Sequence, residues 1–240
     1  MRRKNALSLA VAALFAVGLA VSMAAQEKDK QKPTVQIPQP GVPQVMTLEG
    51  QYVRAAYNNE GYVILGYRTA NQSVGDEWLL LEVGATLRDG VRRFNLTREA
   101  ISLETSDGTK VPLPTIEEYR QVDLRALDRR ASVVRDSINY FPPTASQACR
   151  IGFFAETGSA AMAWNQVELD PMRACLGRLY FKVPGGIKYG QYWLDVKFAD
   201  SLVRVPFRIL TKEEDKLLSK NYKDIRKQVQ AAFAPKKKTT

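Results

Sequence analysis

The sequence predicts a mainly β protein, built as an antiparallel β-sandwich to which helices are added. Three observations support this fold class. Short segments alternate apolar and polar residues with a period of two, turn signals separate these segments, and no strand–helix–strand alternation occurs. About seven short strands divided by turns are typical of a sandwich. The lack of alternating helices argues against a doubly wound α/β fold.

The first 25 residues have the three parts of a secretory signal peptide. Residues 2–4 are positively charged, residues 6–21 are almost entirely apolar, and small residues follow in 22–25. We predict cleavage after Ala24 or Ala25, which makes the mature chain an exported protein, periplasmic or extracellular. An uncleaved membrane anchor is the alternative, because residues 6–25 are just long enough to cross a bilayer. No later apolar run reaches that length, so we expect no membrane span after cleavage.

Residues 26–45 are rich in Pro, Gln and Lys and predict an extended linker. The formal net charge of the chain is +10, of which residues 2–4 and the lysines at 236–238 contribute three each, leaving +4. This modest excess does not indicate a nucleic-acid surface. Weak attraction to an anionic lipid or polysaccharide is compatible with it.

Residues 46–210 contain the predicted strands. In the clearest one, Trp78 to Leu87, every second residue from Leu79 onward is apolar. Asp107-Gly108 is a strong hairpin signal between two strands. Pro206 lies in the last strand and cannot donate to a ladder, so we place it at a sheet edge or a bulge. The other predicted strands are 62–67, 100–104, 110–113, 179–183, 192–198 and 203–209.

A long segment, residues 115–175, separates the strands, and we call it the insertion. Thr115 and Glu118 form a capping box, and apolar residues at helical spacing extend the predicted helix to Asn139. Aspartates alternate with arginines along this helix, which is typical of an exposed charged face rather than of a calcium site. These residues are Asp123, Asp128, Asp136, Arg125, Arg129, Arg130 and Arg135.

A second capping box, Thr211 and Glu214, begins an amphipathic helix predicted over residues 211–234, and a basic tail follows at 235–240. Leu218, Tyr222, Ile225, Val229 and Phe233 form its apolar stripe. We expect this stripe to pack on the sandwich. Binding of a partner protein by the helix is the alternative.

Three local patterns resemble the telokin-like, immunoglobulin-fold domains of secreted bacterial proteins. They are the strand 78–83, the strand and Asp-Gly turn at 101–109, and the strand ending in proline at 177–184. The insertion is longer than the family's usual connection, and the C-terminal helix is an addition. The resemblance implies an antiparallel immunoglobulin-like β-sandwich with a helical insertion and a C-terminal amphipathic helix. It implies no activity, because a fold does not determine a function.

Histidine is absent from the chain, which excludes Ser-His-Asp and Cys-His catalysis and histidine-based zinc sites. The two cysteines, Cys149 and Cys175, are an even pair, which in an oxidising compartment indicates a disulfide. Two buried free thiols are the alternative. No phosphate-binding glycine loop or metal-ligand cluster is present in the sequence, so we predict neither a cofactor nor a metal.

Catalysis without histidine would need carboxylates. Glu156, Glu168 and Asp170 lie in the insertion near Trp164, and a carboxylate pair beside an aromatic ring is the layout of a glycoside hydrolase. Their spacing carries no motif, however, and solvated carboxylates are the ordinary interpretation. An extracellular hydrolase acting on carbohydrate is therefore an alternative function.

Aromatic residues are dense between residues 140 and 164 of the insertion. We select Tyr140, Phe141 and Trp164 as candidate binding residues, because exposed aromatic side chains dominate binding energetics. A small additional core is the alternative interpretation. The sequence thus favours a non-enzymatic binding or scaffold protein of the envelope or secreted space, whose partner is an envelope protein or a polysaccharide. An envelope assembly factor that uses the C-terminal helix is a further alternative.

Overall fold

The computed structural model describes residues 44–155 and 162–233. The predicted signal peptide (1–25), nearly all of the predicted linker (26–45) and the basic tail (235–240) lie outside the described residues. The first strand begins at Val45, the last residue of that predicted linker. The described chain is mainly β, with several antiparallel sheets and a C-terminal helix, as the sequence predicts.

Seven strands precede the insertion, two short strands lie within it, and three strands follow, the first of which begins at its end. The strands are β1 (Val45–Gly50), β2 (Val53–Tyr57), β3 (Gly61–Gly66), β4 (Trp78–Leu87), β5 (Phe94–Thr97), β6 (Ile101–Glu104), β7 (Lys110–Pro112), β8 (Gln147–Arg150), β9 (Gln166–Leu169), β10 (Arg173–Lys182), β11 (Gly190–Lys197) and β12 (Leu202–Ile209). The α-helices are α1 (Arg68–Asn71), α2 (Ile116–Arg120), α3 (Arg125–Val133) and α4 (Lys212–Phe233).

Two larger sheets share one core. The first has the order β1-β2-β3-β4-β10-β8 and the second β12-β11-β6-β7, while β5 pairs with β9. One hydrophobic cluster contains residues of both sheets, including Leu81 of β4 and Leu194 of β11. The rings of Tyr67 and Phe207 meet across it, with centroids 5.2 Å apart. The finer, immunoglobulin-like assignment stays a prediction.

Strand β4 is buried along its whole length, so both of its faces are covered. The apolar residues that alternate from Leu79 to Leu87 belong to the shared core, as their period predicts. The opposite, outer face carries Glu82 and Gly84, and part of the insertion lies on it. A Cβ built on Gly84 would lie 2.7 Å from the ring of Phe141.

The side chain of Gln44 forms hydrogen bonds with the backbone at the edge of the second sheet. Strand β12 is an edge strand, which confirms the predicted place of Pro206. At Arg204, two residues earlier, the backbone N–H donates to Gln44 Oε1 at 2.8 Å, and Gln44 Nε2 donates to the Arg204 carbonyl at 2.6 Å. Because backbone groups of a strand alternate in direction, the missing N–H of Pro206 lies on the same outward side and interrupts no ladder.

The predicted helix 115–139 begins as expected but is not continuous. Thr115 Oγ1 accepts from the Glu118 N–H, and the Glu118 carboxylate accepts from the Thr115 N–H, so the capping box is present. Helix α2 ends at Arg120, α3 ends at Val133, and residues 134–141 run as a non-helical segment. Within it Asp136 and Ile138 are buried and their neighbours are exposed. The helical interpretation of 134–139 was wrong, because the spacing of Val134 and Ile138 fits a period of two as well as a helix.

The C-terminal helix α4 packs on β1. Its capping box is present, with Glu214 N–H donating to Thr211 Oγ1 at 3.2 Å and Thr211 N–H donating to the Glu214 carboxylate at 3.0 Å. Leu218 contacts the main core, and Asp215 accepts hydrogen bonds from the Tyr52 hydroxyl and from Gln51. Leu218, Tyr222, Ile225 and Val229 of the stripe are each partly buried. No helix in residues 44–155 or 162–233 is long and apolar enough to cross a membrane.

Candidate functional site

The insertion and the outer face of the first sheet enclose two adjoining cavities of about 450 and 710 Å³. Both are lined by Ser132, Arg178 and Tyr180, so they form one continuous groove. We call it the arginine groove. The ionisable side chains in its lining are five basic and three acidic groups besides the tyrosine: Arg125, Arg129, Arg135, Arg150, Arg178, Asp123, Asp128 and Glu82.

Strand β10 forms the floor of the arginine groove. In its antiparallel pairing with β4, Arg178 lies opposite Glu82, and Tyr180 lies opposite Leu80. Residues that are directly opposite in an antiparallel pair point to the same face of the sheet. Arg178, Tyr180 and Glu82 therefore share the outer face, on which the insertion packs. The register of two distant strands, rather than any local motif, builds this floor.

Glu82 is the buried carboxyl group of the groove. Only 8% of its side chain is exposed, and Arg135 Nε lies 3.5 Å from its Oε1. The backbone N–H of Asp136 also donates to this carboxylate. Burial raises the pKa of Glu82, and the positive charges of Arg135 and Arg178 oppose this rise. The arginines thus offset part of the cost of burying this carboxyl group.

Asp128 ties helix α3 to the floor. The hydroxyl of Tyr180 donates to the Asp128 carboxylate, and an Arg178 guanidinium nitrogen lies 3.6 Å from it. Burial, and then the hydrogen bond to Asp128, raise the pKa of Tyr180, so its hydroxyl stays protonated. The predicted exposed charged face was wrong for Asp136, which is buried and accepts a hydrogen bond from Arg68 at 2.8 Å. Both carboxylates face the protein, with side chains that are 14% (Asp128) and 7% (Asp136) exposed.

Four of the five arginines in the lining are exposed, and Arg129 and Arg135 are among them. The side chain of Arg135 is 67% exposed although it reaches Glu82, and Arg129 is exposed on α3. Arg125 differs, because its Nε and Nη2 both donate to the Asp123 carboxylate, at 2.8 and 2.6 Å. A planar guanidinium can bind a carboxylate or phosphate through two parallel hydrogen bonds. Arg129 and Arg135 are thus placed to receive an anionic group.

Apolar side chains complete the lining, so the groove is not a purely ionic surface. Ile138, Ile151 and Leu176 belong to it. Phe154 closes one end by packing on Tyr180, with ring centroids 5.1 Å apart. A ligand with both acidic and apolar groups would find partners for both along this groove.

The insertion is fastened at its base by a buried arginine. The guanidinium of Arg98 donates to the carbonyl of Pro114, directly before the insertion, and to the carbonyl of Phe153, within the insertion. It also lies over the ring of Phe154, 4.6 Å from the centroid. Burial lowers the pKa of Arg98. This contact fixes the walls of the arginine groove relative to its floor.

The two cysteine sulfurs lie 2.13 Å apart, at disulfide distance, as predicted. The pair joins the neighbouring parallel strands β8 and β10, in which Cys149 is in register with Cys175. Strand β8 has only four residues and forms the edge of the first sheet. Cys149 also lines the arginine groove, so the disulfide holds one of its walls.

The three predicted binding aromatics occupy different environments. The ring of Phe141 lies on Gly84 and packs with the outer-face cluster around Ile138, which favours the core interpretation for this residue. Trp164 is 60% exposed and lies on Gly152, two residues beyond the end of β8. Tyr140 is 36% exposed and close enough to Tyr222 of α4 to influence its pKa. These contacts do not bring the three side chains together into one binding patch.

The carboxylates of the hydrolase alternative are engaged in ion pairs. Glu168 accepts from Arg173 at 3.0 Å, and Asp170 accepts from Arg93 at 2.8 Å. The N–H of Met172, together with Arg93, lowers the pKa of Asp170, which favours an ion-pairing role over proton donation. Glu156 lies outside the described residues.

Comparison with family models, curated proteins and solved structures gives no match for this chain. The site must therefore be interpreted from its own geometry. Sequence reasoning did not single out Arg178 or Glu82, although one signal pointed to them. Glu82 is the single charged residue of the mostly apolar strand β4, and a buried carboxylate requires a cation or hydrogen-bond donor nearby.

Proposed function

We propose that this chain is a non-enzymatic binding module of the exported compartment, and that it holds an acidic segment of another exported protein in the arginine groove. The observation that supports this most strongly is the combination of solvent-exposed Arg129 and Arg135 with the apolar lining at Ile151 and Leu176. Export itself is inferred from residues 1–25 and agrees with a disulfide between Cys149 and Cys175.

An extended peptide fits the groove better than a compact ligand does. The two cavities adjoin along β10, and a smaller third cavity shares Arg135, Ile138 and Leu176 with the first. A peptide in extended conformation places alternate side chains on opposite sides. Acidic side chains can then meet Arg129 and Arg135 while apolar ones contact the sheet side. Such complementarity of charge contributes to both specificity and association rate.

A panel of short peptides tests this function. One peptide alternates leucine with glutamate, the second has lysine in place of glutamate, and the third has serine there. The account predicts that the mature protein binds the glutamate peptide, that the serine peptide binds much more weakly, and that the lysine peptide does not bind. Binding should weaken as salt rises from about 0.05 M to about 0.5 M, since salt screens exposed charges. Equal binding of the glutamate and lysine peptides would contradict the proposal.

A further inference from the structure

A row of five lysines runs along the exposed side of α4. Their spacing of four, four, three and four residues places them within about 80° of the helix circumference, at 3.6 residues per turn. All five side chains belong to exposed residues, and within residues 44–155 and 162–233 none of them forms an ion pair. We call them the lysine row: Lys212, Lys216, Lys220, Lys223 and Lys227.

The lysine row lies away from the side of α4 that packs on the protein. Leu218 and Tyr222 define the packed side, through contacts with the main core and with the Leu48 carbonyl of β1. On the helical wheel Leu218 lies about 120° and Tyr222 about 80° from Lys212, the nearest lysine of the row. Arg226, which forms an ion pair with Glu49 at 3.1 Å, belongs to the packed side as well. The row is therefore held rigidly and faces solvent.

The row is long, narrow and bordered by acidic residues. From Lys212 to Lys227 it extends about 22 Å, at 1.5 Å per residue. Glu213 and Asp224 are exposed and lie next to it on the helix surface. A flat anionic bilayer would meet these carboxylates together with the lysines, and like charges would oppose the contact. A linear polyanion can follow the lysines without meeting the carboxylates.

We infer that the lysine row is a docking surface for a linear acidic polysaccharide. Five cations in one line, with no partner of their own among the described residues, complement a polymer that carries negative charges at regular intervals. Three more lysines follow in the sequence at 236–238. Because the sequence predicts export, the linear polyanions that the chain meets are polysaccharides rather than nucleic acids. This surface is separate from the arginine groove, and the inference does not depend on the peptide that the groove binds.

Matched charge variants of the full mature chain test this inference. The row variant carries Lys216→Gln, Lys220→Gln and Lys223→Gln, and the control variant carries Lys110→Gln, Lys182→Gln and Lys197→Gln, which are exposed lysines outside α4. Both lose three charges, and glutamine preserves the helix. The probes are polygalacturonate, uncharged dextran, duplex DNA, and vesicles that contain phosphatidylglycerol.

The wild type should bind polygalacturonate but not dextran, and the row variant should bind it about tenfold or more weakly, since each lysine beside a polyanion contributes. The control variant should stay within about twofold of the wild type. Equal weakening of both variants would show that net charge alone is responsible and would overturn the inference. Stronger binding to the vesicles or to DNA than to polygalacturonate would overturn it too. A variant with Arg129→Gln and Arg135→Gln should bind polygalacturonate as the wild type does. If the inference about the lysine row is overturned, the proposal that the arginine groove binds a peptide is therefore not affected.

Discussion

Arg178 and Glu82 lie directly opposite each other on the antiparallel strands β10 and β4, on the face that the insertion covers. The insertion adds Arg135 to the same carboxylate, at 3.5 Å. A buried glutamate is thus shared between two arginines that come from distant parts of the chain. This arrangement both fastens the insertion to the sheet and leaves positive charge at the surface of the arginine groove.

Glu82 makes stability depend on pH in a defined direction. Because its pKa is raised above the ordinary value of 4.5, the folded state favours the neutral form. The stability that the neutral carboxyl group contributes is fully present below the pKa of the unfolded state. It is lost as pH rises through the higher pKa of the folded state. We expect Glu82→Gln to gain stability relative to the wild type as pH rises above the ordinary glutamate pKa of 4.5 into the neutral range. Urea unfolding at several pH values measures the difference.

The comparison between the two proteins isolates Glu82 from other groups. Burial also raises the pKa of Asp195, but this residue is present in both and cancels in the difference. If the stability of the variant runs parallel to that of the wild type across this range, the pKa of Glu82 is not raised in the folded state.

Arg98 should be essential for the position of the insertion. Arg98→Met keeps most of the side-chain volume but leaves the buried carbonyls of Pro114 and Phe153 without their donor. Each unsatisfied buried acceptor costs about 1–3 kcal/mol, so the unfolding free energy should fall by at least about 2 kcal/mol. Arg92→Met is the control, because Arg92 is exposed and its loss should change stability by under about 0.5 kcal/mol. Equal effects in urea unfolding would contradict this role.

Removing the cysteine pair should destabilise the protein and release β8. The cysteines are 26 residues apart in sequence, and closure of such a loop contributes about 3.5 kcal/mol in the chain-entropy model. The double variant Cys149→Ala, Cys175→Ala should lose about this amount, and its β8 amides should exchange hydrogen faster. Reductant should shift the wild type to the same stability and leave the variant unchanged. A wild type insensitive to reductant would argue for free thiols.

Replacement by alanine should lower stability by different amounts at the predicted binding residues Phe141 and Trp164. Phe141→Ala removes a ring packed on Gly84 and should cost about 2 kcal/mol, below the 3–5 kcal/mol of a fully buried phenylalanine. Trp164→Ala removes a side chain that is 60% exposed and should cost under about 1 kcal/mol. Thermal unfolding of the two variants measures this. Similar large losses in both would mean that Trp164 is also part of the core.

Local signals in the sequence predicted much of the fold. The capping boxes at Thr115 and Thr211 and the turn at Asp107-Gly108 are confirmed, because each depends on residues within a few positions of one another. The burial of Asp136, by contrast, could not be predicted from its neighbours in the sequence. Its burial depends on Arg68, which is 68 residues away in sequence.

The arginine groove could not be predicted in the same way. Its floor requires the register that places Arg178 opposite Glu82, and its wall requires the insertion to return to that strand pair. Neither the register of these strands nor the path of the insertion produces a periodic pattern in the sequence. The predicted aromatics were chosen by composition alone, and composition does not distinguish Phe141, which packs on the sheet, from the exposed Trp164.

The most direct test of the central claim is a titration of the leucine–glutamate peptide against two charge-matched double variants. One carries Arg129→Gln and Arg135→Gln in the groove, and the other carries Arg92→Gln and Arg120→Gln, at exposed positions outside its lining. The account predicts that the groove variant binds about tenfold or more weakly, while the outside variant stays within about twofold of the wild type. Equal affinity of the two variants for the peptide would contradict the assignment of the arginine groove as the binding site.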